Sequence, residues 1–351
     1  MPGSSGAPNH PDHLVDRHPT VTPERLVAQL VPPPTFTHVS FDTYRPDPAE
    51  PSQAAAVDAC RAFCADAVTR RAGKKKLFGK REVLPGVGVY LDGWFGVGKT
   101  HLLASSYYEL PETQAHPKAF ATFGELTQLA GVFGFVESVE LLSDYVVVCI
   151  DEFELDDPGN TTLISRLLSQ LVERGVSIAA TSNTLPEQLG EGRFAAQDFL
   201  REIQSLADHF EVHRIDGEDY RHRGQVEAPR PESDERVHQV AAEHPDASLD
   251  HFVDLCRHLP QVHPSRYGAL LDGVRLVCLE DVREVHDQAV ALRLVVLADR
   301  LYDRDLPVVS SGVPLDRVFS EDMLGGGYRK KYLRAISRLT ALAREGSELV
   351  R

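Results

Sequence analysis

Gly93-Trp94-Phe95-Gly96-Val97-Gly98-Lys99-Thr100 is the stretch that decides the reading of this chain. It fits the pattern G-x4-G-K-[ST] of a phosphate-binding loop. Glycines at its ends and centre let backbone N–H groups turn inward around a phosphate, and the helix that follows adds its positive end. In that pattern Lys99 reaches the β- and γ-phosphates and the Thr100 hydroxyl holds Mg²⁺, while residues 93 to 101, His101 included, form the nucleotide-binding set. The context agrees. Val87–Leu91 is a short apolar strand candidate ahead of the loop, and a helix runs on to about Leu110.

Working outward, a phosphate loop needs a second strand that ends in an acid. Val146-Val147-Val148-Cys149-Ile150-Asp151-Glu152 supplies it: a continuous apolar run, as in a strand buried on both faces, ending in two carboxylates. Asp151 is the expected Mg²⁺ partner and Glu152 the group that polarises the attacking water. Lys118–Ala121 reads as another strand, with Thr122 and Glu125 spaced as a capping box for a helix to about Phe133. Asp157-Pro158 opens a helix that Gly175 closes. Val176–Thr181, a helix over Ala195–Asp208 and the strand Phe210–Ile215 complete a βαβ alternation, which predicts a parallel sheet with helices on both faces.

The rest of the chain is read as modules around this core, which spans 84–224. Residues 1–35, rich in Pro, His, Ser and Gly, predict a flexible arm with a short helix at Pro23–Leu30. Residues 36–83 hold a helix over about Ser52–Thr69 and a basic run from Arg70 to Arg81, read either as a solvated loop or as a docking patch. An acidic linker or insert is expected at 225–250, then an α-rich C-terminal lid at 251–351 with strands at Val274–Leu279 and Leu306–Ser310. No internal repeat is apparent. Cys60 and Cys64 at i,i+4 lack further His or Cys partners and read as buried small residues.

Composition sets the outer limits. Lys and Arg number 37 against 52 Asp and Glu, a net charge of −15, which weighs against a protein that coats nucleic acid. Five cysteines do not make a disulfide framework and point to a reducing compartment. The first residues lack a basic segment followed by an apolar one, and no apolar run approaches the roughly 20 residues of a membrane span. The expectation is a cytoplasmic protein without an integral membrane segment.

The core resembles AAA+ ATPases of the P-loop NTPase class, and by that resemblance Asn183, after Thr181-Ser182, senses the γ-phosphate, although a turn asparagine is the competing reading. Arg193 in Gly192-Arg193-Phe194 then takes the place of an arginine reaching into a neighbour's site, with Arg201 a weaker rival, which implies a homo-oligomer with shared sites. Beyond that class the chain carries Gly88-Val89-Tyr90-Leu91, Asp151-Glu152-Phe153, Arg174-Gly175-Val176 and Asp219-Tyr220-Arg221-His222-Arg223, with Leu297-Ala298-Asp299-Arg300-Leu301-Tyr302-Asp303 and Tyr332-Leu333-Arg334-Ala335-Ile336-Ser337-Arg338-Leu339 further on. In these segments it resembles the ZapE family of cell-division ATPases, related to the AFG/LACE-type ATPases of mitochondria. Lys118-Ala119-Phe120-Ala121-Thr122-Phe123 stands where the family carries an aromatic- and His-rich stretch.

The resemblance implies Mg²⁺-dependent ATP hydrolysis that regulates or remodels a protein partner, the division ring among the candidates. A nucleic-acid-associated AAA+ ATPase, such as a helicase or transposition loader, is the alternative. Arg334, with Arg293 and Arg338, lies on C-terminal helices and is read either as a phosphate contact from the lid or as a solvent-facing arginine.

Overall fold

The structure, a computed structural model, describes residues 11–20, 22–73, 84–94, 96–111, 117–153, 158–183, 208–217 and 227–350. The chain divides into two compact units, Thr22–Arg223 and Gly224–Arg351, with Met1–Val21 belonging to the second.

In the first unit the described elements are α1 (Pro23–Ala28), α2 (Pro51–Ala72), β1 (Gly88–Gly93), α3 (Lys99–Glu109), β2 (Lys118–Thr122), α4 (Phe123–Phe133), α5 (Phe135–Ser143), β3 (Val147–Asp151), α6 (Pro158–Glu173), β4 (Ser177–Ser182) and β5 (Phe210–Ile215). The strands form one parallel sheet in the order β2-β3-β4-β1-β5. The central strands β1, β3 and β4 are buried throughout, because helices cover both faces. Side chains alternate across the sheet as the pleat requires. Val89 and Leu91 pack with Cys60, Phe63 and Cys64 of α2 and Leu102 and Leu103 of α3, whereas Tyr90 faces the other way, among Leu126, Leu142, Ile164 and Leu168 of α4, α5 and α6.

Local signals explain the element ends. Thr122 and Glu125 close a full capping box at the start of α4, the Thr122 Oγ1 accepting from Glu125 N at 3.3 Å and Glu125 Oε2 accepting from Thr122 N at 2.7 Å. After α6, Gly175 adopts φ 87° and lets the Val176 N–H reach back to the Leu171 carbonyl at 2.9 Å. The helix expected over Ala195–Asp208 lies outside the described residues except for Asp208, which is in a turn.

The second unit holds the two strands expected in the α-rich C-terminal region and adds one more from the expected linker. Its elements are α7 (Asp234–Glu243), β6 (Ala247–His251), α8 (Phe252–His258), α9 (Tyr267–Leu270), β7 (Leu276–Val282), α10 (Gln288–Asp303), β8 (Val308–Gly312), α11 (Glu321–Gly325) and α12 (Arg329–Leu349). The strands make a parallel sheet in the order β6-β7-β8. One face packs on Val237, Val240 and Ala241 of α7, the other on Phe252 and Leu255 of α8, Leu294, Leu297 and Leu301 of α10 and Leu339 of α12.

The stretch expected as an acidic linker is therefore a helix and a strand in its described part. The strand is disguised by Asp250, which is 2% exposed and accepts hydrogen bonds from the backbone of Leu14 and Val15, each at 3.1 Å. Those bonds satisfy a carboxylate that burial alone makes costly. The same contact corrects the flexible arm: within 11–35, Leu14 is fully buried, Leu26 and Leu30 are nearly so, and the Leu30 carbonyl accepts from Phe120 N of β2. Three apolar residues suffice to hold down an otherwise polar segment.

Candidate active site

The C-terminal ends of parallel strands are where an open α/β sheet gathers ligands. Here β4 lies between the loop strand and the acid strand: Leu91 of β1 faces Thr181, and Ile150 of β3 faces Ala180. That register brings the ends of all three strands to one place.

The loop leaves β1 at Gly93, where a Cβ would lie 2.4 Å from the Ile215 carbonyl oxygen, so only glycine permits the close pairing with β5. Gly96 at φ 76° and Gly98 at φ 88° turn the chain, and Gly98 serves as the N-cap residue of α3. Lys99 is 9% exposed, and its Nζ donates to the Gly93 and Trp94 carbonyls, each at 2.7 Å, and to Asn183 Oδ1 at 3.0 Å. The ammonium is thus fixed inside the loop rather than extended into solvent.

Asp151 ends β3 at 7% exposure. It accepts from Thr100 Oγ1, 3.1 Å from either carboxylate oxygen, and from Thr181 Oγ1 at 2.5 Å. A carboxylate beside a hydroxyl at the start of a helix is the hard-oxygen donor set that suits Mg²⁺ when nucleotide phosphates complete the shell. No group of three or more His, Cys, Asp or Glu occurs among the described residues that would hold a metal ion by itself.

Glu152 sits in the left-handed region at φ 53°, its N–H donating to Thr181 Oγ1 at 3.1 Å, and the next residue, Phe153, donates to the Thr181 carbonyl at 2.7 Å. Thr181 therefore organises both acids at once. Asp92, 5% exposed at the end of β1, has its pKa raised by burial, opposed by the nearby charges of Arg214 and Lys99.

Sequence reasoning missed a brace around the outside of the loop. Tyr44 Oη donates to the Val97 carbonyl at 2.7 Å, and its ring fills the space beside Gly98, where a Cβ would lie 2.5 Å from Cε2. The ring of His101 stands edge-on to Tyr44, its Nε2 3.1 Å from the Ser40 carbonyl and 2.9 Å from Thr43 Oγ1. A carbonyl only accepts, so Nε2 carries the hydrogen. Burial lowers the pKa of this imidazole. His101 thus spends its side chain on the Ser40–Tyr44 segment, and its backbone N–H in the first turn is what it has to offer a phosphate. Trp94, 60% exposed, marks the outer lip of the loop.

Phe95 and Arg193, with Arg201 and the basic residues from 74 to 81, lie outside the described residues; Arg70 is paired with Asp66 at 2.9 Å. Arg334 of α12 is neither solvent-facing nor open. It donates to Asp299 Oδ2 at 2.7 Å, with Arg338 on the other oxygen, and all three side chains are at most 15% exposed. Cys60 and Cys64 are buried against α3, and burial pushes both thiols up to about 12. Among the described residues no single helix is long and apolar enough to cross a membrane.

A parallel sheet of this order, with a polar-ended strand between a phosphate loop and an Asp-Glu strand, defines a P-loop NTPase of the AAA+ type. The chain belongs to the AFG1-like ATPase family, whose profile matches residues 20–242 and 225–348, and it is an ATPase. It is 29% identical over 317 residues to the cell division protein ZapE of Escherichia coli K12, covering 77% of this chain and 82% of that one. To lactation elevated protein 1 homolog B of Danio rerio it is 23% identical over 305 residues, 69% of this chain and 59% of that protein. Among solved structures, DnaI is similar at 19% identity and a TM-score of 0.40, over 56% of this chain and 98% of that one. A DNA replication initiation factor is similar at 12% identity and 0.38, over about half of each chain.

Proposed function

We propose that this ATPase hydrolyses Mg²⁺-bound ATP at the Gly93–Thr100 loop and uses the turnover to regulate or remodel a protein complex of cell division. The observation that carries the site is the Thr100 hydroxyl 3.1 Å from Asp151, beside a lysine fixed in the loop. When bound, Mg²⁺ neutralises phosphate charge and orients the oxygens around the reacting phosphorus. Thr100 and Asp151 hold that ion, and Lys99 binds the terminal phosphates. Glu152 takes the proton of the attacking water, and Asn183 couples the γ-phosphate position to β4. Arg193, supplied by a second copy, stabilises charge that develops on the γ-phosphate.

The cell-division role and the protein partner rest on likeness to ZapE, and the net charge of −15 favours a protein over nucleic acid. The test is phosphate release with and without EDTA, for wild type and Glu152→Gln, in the presence of division-ring filaments or single-stranded DNA. Turnover that needs Mg²⁺, disappears in Glu152→Gln and responds to filaments supports the proposal. Stimulation by DNA alone, with a steep salt dependence, would replace the partner assignment.

A further inference from the structure

The three strands of the second unit, β6-β7-β8, repeat β2-β3-β4 of the first. In the first, Lys118 faces Val147 and Thr122 faces Asp151; 129 residues further on, Ala247 faces Leu276 and His251 faces Glu280. The bond just outside this ladder recurs as well: Val146 N–H to the Pro117 carbonyl and Arg275 N–H to the Asp246 carbonyl, both 2.8 Å and again 129 residues apart. The next crossover matches at 130. Helices α6 and α10 have 16 residues each, and Gly175 and Asp305 both adopt left-handed backbones after them. Val176 and Leu306 then donate back to Leu171 and Leu301. Ile150 faces Ala180 in one sheet, and Leu279 faces Ser310 in the other.

The strand ends match too. Val148-Cys149-Ile150-Asp151-Glu152 is paralleled by Val277-Cys278-Leu279-Glu280-Asp281. Glu152 and Asp281 share φ 53°, and each N–H donates to a hydroxyl on the following strand, Thr181 Oγ1 at 3.1 Å and Ser311 Oγ at 2.9 Å. Even β1 leaves a trace: Glu232 bridges Ser311 in parallel, on the side of β8 where Leu91 faces Thr181 in β4.

The difference lies where the phosphate loop belongs. In the first unit Asp92–Gly98 separates Leu91 from α3; in the second only Ser233 separates Glu232 from α7, its Oγ capping the helix through Arg236 N at 3.2 Å. There is no loop to surround a phosphate and no lysine. The helix instead opens with Asp234 and Glu235, and Asp234 Oδ1 accepts from Ser311 Oγ at 2.5 Å. Carboxylates there complement the positive end of the helix from within the chain.

We infer that the Gly224–Arg351 unit is a degenerate second copy of the nucleotide-binding fold, with its phosphate position closed by its own Asp234, so that the chain binds one nucleotide and not two. This rests on the phosphate-loop reading of the first unit. Equilibrium binding of a non-hydrolysable ATP analogue to the full chain should give one site, and Lys99→Ala should weaken that one site by about 100-fold. Hydrogen exchange should show nucleotide protection at 93–103 and 150–153, and none at the matching 232–238 and 279–283. Glu280→Gln should keep ATP turnover within about twofold, whereas Asp151→Asn, its counterpart, loses it. Two sites per chain, a site of wild-type affinity surviving in Lys99→Ala, or protection at 279–283 would overturn the inference alone. No binding by the wild-type chain would overturn the phosphate-loop reading and this inference with it.

Discussion

At the scale of single residues, the proposed roles separate by what each substitution removes. Lys99→Ala takes away a charge-assisted contact to phosphate worth about 3 kcal/mol, so ATP affinity should fall by about 100-fold in a direct binding assay. Glu152→Gln keeps size and hydrogen bonding but not basicity. It should leave ATP affinity near wild type and lower kcat by about 10² to 10⁴. A fall in affinity without a fall in kcat would place Glu152 outside the chemistry.

Asp250 offers a different readout. Burial raises its pKa despite its bonds to Leu14 and Val15. A carboxyl whose folded pKa lies above its unfolded value holds its proton more tightly when folded. It therefore contributes stability at low pH that is lost as pH rises from the ordinary carboxylate range through the raised value. Asp250→Asn should flatten that part of the curve of unfolding free energy against pH; an unchanged slope would remove Asp250 as its source.

The residues of the site were legible because a phosphate loop and an apolar strand ending in Asp-Glu are local patterns. Tyr44 was not. It reaches Val97 across 53 residues, and nothing near it in sequence marks the contact.

At the scale of elements, strands rich in Val and Ala declared themselves, while β6, Ala-Ser-Leu-Asp-His, did not, since its burial depends on partners that only folding supplies. Helix α12 carries a testable anchor. Asp299 holds both Arg334 and Arg338, and Arg338 also lies 5.3 Å from the centre of the Tyr302 ring. Removing the shared carboxylate by Asp299→Ala takes a charge partner from two mostly buried guanidinium groups, at a cost of about 3 kcal/mol in urea unfolding. A change within experimental error would show the pair to be solvated in solution. After α10, Asp305 occupies a left-handed position that glycine fills after α6. Asp305→Gly should therefore raise stability by up to about 1 kcal/mol, measured the same way.

At the scale of the whole chain, the expected arm, core, linker and lid become two units of related fold. The repeat escaped sequence reading because matched residues are few and the registers that align them exist only as hydrogen bonds. Unfolding should accordingly not be two-state. ATP at 100 times its Kd should stabilise the Thr22–Arg223 unit by about 2.7 kcal/mol and leave the transition of the other unit in place. A single transition that shifts as one on adding ATP would show the two units to unfold together.

The left-handed backbone at Glu152 would ordinarily be taken as strain held for catalysis. Asp281 holds the same φ 53° where there is no phosphate loop to serve. The conformation then belongs to how this strand meets its neighbour, whatever use is made of its side chain. The polypeptide carries its own control experiment: relaxing the backbone with glycine at 281 reports what the geometry costs, and the same change at 152 reports what the carboxylate does.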